Sequence, residues 1–206
     1  MKADEKVRLV SLYEDRFKTQ GASIQTLGWN STEDQQLRFR VLTEIRDLTS
    51  KNVCDVGCGF GDLFGYLGRR FAGIQYTGID IVPSLVSEAR CRYPTARFLQ
   101  QDILDESFDE RFDYLLLSGA LSFRISDNLS YSHAVMSRMF ALCNQGIGLN
   151  FLSTYVNFQR AHNYHHDPQQ ILAFAKTLTQ WVTLRHDYPL WEFTVFLYKQ
   201  PQMAFV

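Results

Sequence analysis

The spacing of apolar residues changes character along the chain. From Lys6 to Lys18 the apolar positions Val7, Leu9, Val10, Tyr13 and Phe17 recur at helical spacing. Gly21 to Asn30 interrupts that period with Gly21, Gly28 and Trp29. Ser31-Thr32-Glu33-Asp34 then has the composition of a helix start, and Gln35 to Leu48 continues it with Leu37, Val41, Leu42 and Ile45 on one face. From about Lys51 to Trp181 short apolar runs alternate with helical-period segments. Strands are predicted at Val53–Val56, Gln75–Ile81, Arg97–Gln100, Phe112–Ser118 and Ile147–Ser153. Helices are predicted at Asp62–Phe71, Ser84–Tyr93, Leu129–Cys143 and Pro168–Gln180. The last opens on Asp167-Pro168, a good N-cap and first-turn pair.

This alternation predicts an α/β fold with a mostly parallel sheet. The run Tyr114-Leu115-Leu116-Leu117 is apolar at every position, as expected of a strand covered on both faces. The end of the chain departs from the rule. Val182–Tyr188 and Phe193–Lys199 flank the short loop Pro189-Leu190-Trp191-Glu192, and strands so closely joined must run antiparallel.

Composition narrows the field. At 206 residues the chain is expected to form one domain, with residues 1–50 a helical N-terminal cap and 51–206 an α/β core. Lys plus Arg is 21 and Asp plus Glu is 22, a net charge of -1, which argues against a dedicated nucleic-acid binder. No apolar run approaches the roughly 18 residues of a spanning helix, and the charged start lacks the apolar segment of a signal peptide. Cys54, Cys58, Cys91 and Cys143 match neither a zinc spacing nor a disulfide framework. The expectation is a cytoplasmic protein with reduced thiols and no metal.

The most informative stretch is Val53-Cys54-Asp55-Val56-Gly57-Cys58-Gly59-Phe60-Gly61-Asp62, a strand, a glycine turn and a helix start. Glycines there permit positive φ and close approach of a ligand to the backbone. Asp55 precedes the first glycine, Asp80 ends the next strand, and Asp102 follows the third. An acid at the end of the second strand can accept from both hydroxyls of a ribose. Asp102 can accept from an adenine amino group. Asp55 suits an ammonium group or its water and would repel a phosphate. The nicotinamide fingerprint fails, since its last glycine falls on Asp62, and no Walker lysine follows.

Asp55-Val56-Gly57-Cys58-Gly59-Phe60-Gly61 resembles motif I of the class I S-adenosylmethionine-dependent methyltransferases. Tyr76-Thr77-Gly78-Ile79-Asp80-Ile81 resembles their second-strand motif, and Gln101-Asp102-Ile103 their third-strand acidic motif. The resemblance runs from about Lys51 to Lys199. It implies a Rossmann-like, seven-stranded mixed sheet in the order 3-2-1-4-5-7-6, strand 7 antiparallel, with helices on both faces. It places Asp55, Gly57, Cys58, Gly59 and Gly61 at the methionine end of S-adenosylmethionine. Asp80 falls at the ribose, Ile81 at the adenine face, Asp102 and Ile103 at the adenine edge, and Ser118 beside the transferred methyl. The implied activity is methyl transfer by in-line displacement, leaving S-adenosylhomocysteine as product. The alternative is a non-catalytic S-adenosylmethionine-binding sensor or subunit on the same fold.

Leu117-Ser118-Gly119-Ala120-Leu121 departs from the Asn/Asp-Pro-Pro-aromatic signature of amino-group methylation on bases or amides. A small-molecule acceptor is the expectation. Tyr13, Trp29, Arg124, Asn157 and Arg160 are candidate acceptor contacts. His133, His162, Tyr164 and His165 are candidates for proton removal, beside the bland reading of a solvated loop and capping residues.

Overall fold

A computed structural model describes residues 1–202. Helix α1 spans Ala3–Gln20 and α2 Thr32–Leu42, with a 3₁₀ turn at Thr43–Ile45. Then follow β1 (Asn52–Val56), α3 (Asp62–Gly68), β2 (Gln75–Asp80), α4 (Pro83–Arg92), β3 (Arg97–Gln100) and β4 (Phe112–Leu117). The second half holds α5 (Asn128–Leu142), β5 (Cys143–Leu152), α6 (Pro168–Leu178), β6 (Val182–Arg185) and β7 (Glu192–Tyr198). The strands form one seven-stranded sheet in the order β3-β2-β1-β4-β5-β7-β6. The pairs from β3 to β5 are parallel, and β7 runs antiparallel to both β5 and β6. Both the order and the reversed strand agree with the expectation.

Helix starts follow the capping residues. The Ser31 hydroxyl accepts from the Asp34 N–H at 3.0 Å, Asp127 from Ser130 at 3.1 Å and Asp167 from Gln169 at 2.8 Å. Each satisfies a backbone donor that the first helical turn leaves without a partner.

The sheet divides the core in two because strand side chains alternate between its faces. On one face Val56, Leu115, Leu117, Leu149 and Val195 pack under Val135, Met136 and Met139 of α5 and Ile171 and Ala175 of α6. On the other, Val53, Tyr114, Leu116 and Phe196 pack under α3, α4 and α2. Phe39, Leu42, Ile45 and Leu48 are fully enclosed in that second cluster. So α2 belongs to the helical layer over the sheet, and only α1 and the Gly21–Asn30 loop lie outside it as a cap.

The elements also differ from expectation at their ends. Helix α2 stops at Leu42, six residues short of the expected Leu48, and a 3₁₀ turn feeds the remaining apolar side chains into the core. Strand β5 begins at Cys143 because α5 hands over to it with no loop: the Cys143 backbone is already extended, with ψ 147°.

Candidate active site

The carboxyl ends of β1, β2, β4 and β5 and the loops beyond them surround a cavity of about 430 Å³, roofed by α1 and the Trp29 loop. Its first wall is the glycine turn after β1. The N–H groups of Gly57 and Cys58 both donate to the Ile79 carbonyl, at 2.8 and 3.0 Å, folding the turn back against β2. Gly57 has φ 74°, and a Cβ there would stand 2.6 Å from the Ala120 Cβ. Both the conformation and the space demand glycine.

The acids take distinct roles. Asp55 is buried and accepts from the Tyr76 hydroxyl at 2.7 Å. Burial raises its pKa to about 7, and the charges of Asp80 and Asp62 push the same way against the Tyr76 hydrogen bond. Asp80 holds the turn together: Oδ2 accepts from the Gly59 N–H and Oδ1 from the Val82 N–H, both at 3.0 Å. Burial raises its pKa too. A carboxylate has about four lone-pair sites, so Asp80 can still accept from a ligand. Asp102 Oδ1 accepts from the Leu104 N–H at 2.9 Å, and Oδ2 pairs with Lys6 of α1 at 2.7 Å.

That Lys6 contact is one of four clips holding α1 across the cavity, another being the Arg8 guanidinium, which donates to the Arg124 carbonyl at 3.3 Å. The Ser126 N–H donates to Glu5 at 2.5 Å, and the Ser84 N–H donates to Glu14 at 3.0 Å. Between the clips Leu9, Leu12 and Tyr13 face the cavity.

The far end of the cavity is built from parts distant in sequence. Arg38 of α2 makes a two-pronged ion pair with Glu192 at the start of β7, and both are buried. The Arg38 guanidinium lies 4.3 Å from the centre of the Trp29 ring. The ring edge reaches Gly119, where a Cβ would stand 2.8 Å from it. Trp29 is thereby fixed as a flat wall. Residues 154–165 form a loop closed at its neck by the Ser153–His166 bridge, and it brings Val156, Phe158, Arg160, His162 and His165 to the cavity.

Of the expected cofactor residues, Asp55, Gly57, Cys58, Gly59 and Asp80 line this cavity. So do Ile81, Asp102, Ile103 and Ser118. Gly61 does not: it caps α3 and faces Phe98 and Tyr93, so its lack of a side chain serves packing. Among the acceptor candidates Tyr13, Trp29 and Arg160 line the cavity, while Arg124 and Asn157 stand outside it. The Arg124 guanidinium instead donates to the carbonyls of Ala161 and Asn163, at 2.9 and 2.7 Å, bracing the loop. His162 and His165 line the cavity; His133 stacks on Phe174 at 3.7 Å and Tyr164 packs edge-on against His166. Arg38, Glu192 and Asn150 line the cavity without having been expected there. Asn150 did leave a signal, as the one amide in the apolar run Ile147-Gly148-Leu149-Asn150-Phe151-Leu152.

Residues 53–146 match the model of a family described as "Methyltransferase domain". The chain is 30% identical over 155 residues to the "Putative methyltransferase Rv1506c" of Mycobacterium tuberculosis, covering 72% of this chain and 93% of that protein. It belongs to the class I S-adenosylmethionine-dependent methyltransferase family. Membership names the methyl donor and the reaction class. A trans-aconitate 2-methyltransferase of Escherichia coli is 32% identical over 71 residues, or 34% of this chain and 28% of its own length. The fold is shared with magnesium protoporphyrin IX methyltransferase from Synechocystis, solved with bound S-adenosylhomocysteine. There the TM-score is 0.63 at 17% identity over 81% of this chain and 83% of that one.

The residues present fit the methyltransferase cofactor. Asp55, Asp80 and Asp102 all line the cavity: Asp55 at the glycine turn suits a cationic group, Asp80 keeps lone pairs for hydroxyl donors, and Asp102, paired with Lys6, can accept from an amino group. The Ser118 hydroxyl, buried at the cavity wall, has no protein partner and is free for a ligand.

Proposed function

We propose that this methyltransferase transfers a methyl group from S-adenosylmethionine to a small-molecule acceptor, and that Asp55, Asp80, Asp102 and Ser118 hold the cofactor. The observation that carries this reading is the acidic rim of the glycine turn, formed by Asp55 and Asp80 on one wall of the cavity. A phosphate-bearing ligand would meet repulsion there; an amino-acid nucleoside with a cationic centre meets attraction.

When bound, the cofactor supplies an electrophilic methyl carbon on a positively charged sulfur. The protein's contribution is alignment and exclusion of water, which can lower the barrier by about 7–11 kcal/mol in well-oriented systems. Asp80 fixes the glycine turn through Gly59 and Val82 while keeping lone pairs for the ribose hydroxyls. Helix α1 and Trp29 roof the site. On this reading the chain works as one unit, with the acceptor enclosed by the Trp29 loop, Arg38–Glu192 and residues 154–165. A cavity of about 430 Å³ roofed by α1 and the Trp29 loop suits a small molecule. No helix of the described residues is long and apolar enough to cross a membrane.

Calorimetric titration with S-adenosylhomocysteine, with NAD in parallel, tests the reading. Binding of the first and not the second is expected. Binding of neither, or of NAD alone, overturns it.

A further inference from the structure

Ser118 and Asn150, which both line the cavity, each carry a buried polar atom without a protein partner. Leu117 of β4 pairs with Leu149 of β5. The next residues, Ser118 and Asn150, are therefore neighbours across the parallel ladder, and alternation turns both away from the α5 side of the sheet. Asn150 is 3% exposed. Its Nδ2 donates to Thr194 Oγ1 at 2.6 Å, and that oxygen is shared with the Tyr188 hydroxyl at 3.0 Å. The amide is thus held from behind, while Oδ1 has no protein partner. Buried polar atoms are nearly always paired in folded proteins, so a held but unpaired one marks a place for a ligand group.

We propose that Asn150 Oδ1 accepts a hydrogen bond from the nucleophilic O–H or N–H of the methyl acceptor, and that the acceptor is an uncharged hydroxy- or amino-aromatic compound. This rests on the methyltransferase reading. An amide oxygen accepts and cannot donate, so it selects a protic group and disfavours a carboxylate or a thioether. Arg38 and Glu192 neutralise each other beside it, so that pair adds no net charge to the wall. Trp29 and Phe123 supply flat apolar surface. Arg160 and His162 are exposed at the rim.

In the step itself a lone pair on the acceptor oxygen or nitrogen forms the bond to the methyl carbon. The carbon–sulfur bond breaks with its electron pair left on sulfur, and the acceptor's proton passes to water at the mouth. Asn150 takes no proton; it turns the lone pair toward the methyl. It is a positioning residue that also sets specificity.

The test uses the full chain saturated with S-adenosylhomocysteine and three probes of one shape: 1-naphthol, 1-naphthylamine and 1-methoxynaphthalene, each titrated calorimetrically. One or both protic probes are expected to bind at least tenfold more tightly than the ether. Which of the two does so separates hydroxyl from amine. Asn150→Leu, close in volume but without an acceptor, is expected to reduce the ratio below threefold, and Asn150→Asp, which keeps an acceptor oxygen, to preserve it. If the Leu variant does not fold, Asn150→Ser, which withdraws the oxygen from the cavity, carries the same expectation as Leu. Equal binding of all three probes, binding of none, or a ratio unchanged in Asn150→Leu overturns the proposal. Failure to bind S-adenosylhomocysteine overturns the reading beneath it instead.

Discussion

The Tyr76 hydroxyl donates to the Asp55 carboxylate across adjacent strands at 2.7 Å, two residues before the glycine turn. The bond favours the ionised acid, but burial and the neighbouring charges of Asp80 and Asp62 outweigh it, and the pKa stands at about 7. A raised carboxylate contributes stability to the free protein that is full below its unfolded pKa and is lost as pH rises through about 7.

Ligand binding has the opposite sign. A cationic group needs Asp55 ionised, so below that pKa binding must expel a proton. Affinity for S-adenosylhomocysteine should rise up to about tenfold per pH unit on the approach to neutrality and level off above it. Titrations in buffers of different ionisation enthalpy count the proton directly. Asp55→Asn should remove the slope. Tyr76→Phe should move the break to higher pH, since it deletes the interaction that lowers the pKa. A flat profile in the wild-type protein would dismiss Asp55 as the cation partner.

Asp80 is expected to matter twice. Losing a charged acceptor for the ribose costs about 1–3 kcal/mol of binding. Asp80→Ala also strands the Gly59 and Val82 N–H groups. The Ala variant should therefore lose at least about 5-fold, and up to about 140-fold or more, in S-adenosylhomocysteine affinity, since each 1.4 kcal/mol is tenfold, and should also melt lower. Asp80→Asn keeps one acceptor oxygen and should fall between. A weakened affinity with unaltered melting would confine Asp80 to ligand contact; unchanged affinity would remove the ribose assignment.

The contrast between Asp80 and Glu192 shows what the sequence makes visible. Asp80 ends an apolar strand at a readable distance from a glycine turn, and both belong to local patterns. The strand order follows from the same patterns, because short crossovers and the reversed final pair leave few arrangements. Glu192 meets Arg38 across 154 positions, and neither residue type nor spacing announces the pair. Gly61 shows a packing role that the motif does not announce: the space beside it is filled by Phe98 and Tyr93.

That long-range pair yields a stability prediction. Arg38 and Glu192 are both buried, and removing either leaves a desolvated charge. Arg38→Ala or Glu192→Ala should each cost about 3–5 kcal/mol in denaturant unfolding. The double variant should cost clearly less than the sum, since it strands no charge. Additive losses would show that the pair is not coupled. Trp29 loses its cationic partner in Arg38→Ala, so its fluorescence should shift in that variant even under native conditions.

His166 gives the acceptor half of the site its own pH response. It closes the neck of the 154–165 loop: its N–H donates to the Leu152 carbonyl at 2.8 Å, its carbonyl accepts from Thr154 at 3.0 Å, and its ring bonds Ser132 at 2.8 Å. It is 1% exposed, and burial, with the nearby His133 and His165, lowers its pKa to about 4. A depressed base contributes stability that is present above about 6.5 and is lost as pH falls toward 4. The difference corresponds to at most about 3 kcal/mol. His133 and His165, both lowered by burial, act with the same sign. Mild acid should therefore loosen the loop that carries Phe158, Arg160 and His162 before it disturbs the sheet. Hydrogen exchange at pH 5 and pH 7, corrected for intrinsic rates, should show lost protection in residues 152–166 with β1 and β4 unchanged. His166→Gln, which cannot take up a proton, should flatten that dependence. Equal protection of the neck at both pH values would mean that His166 is only a packing residue there.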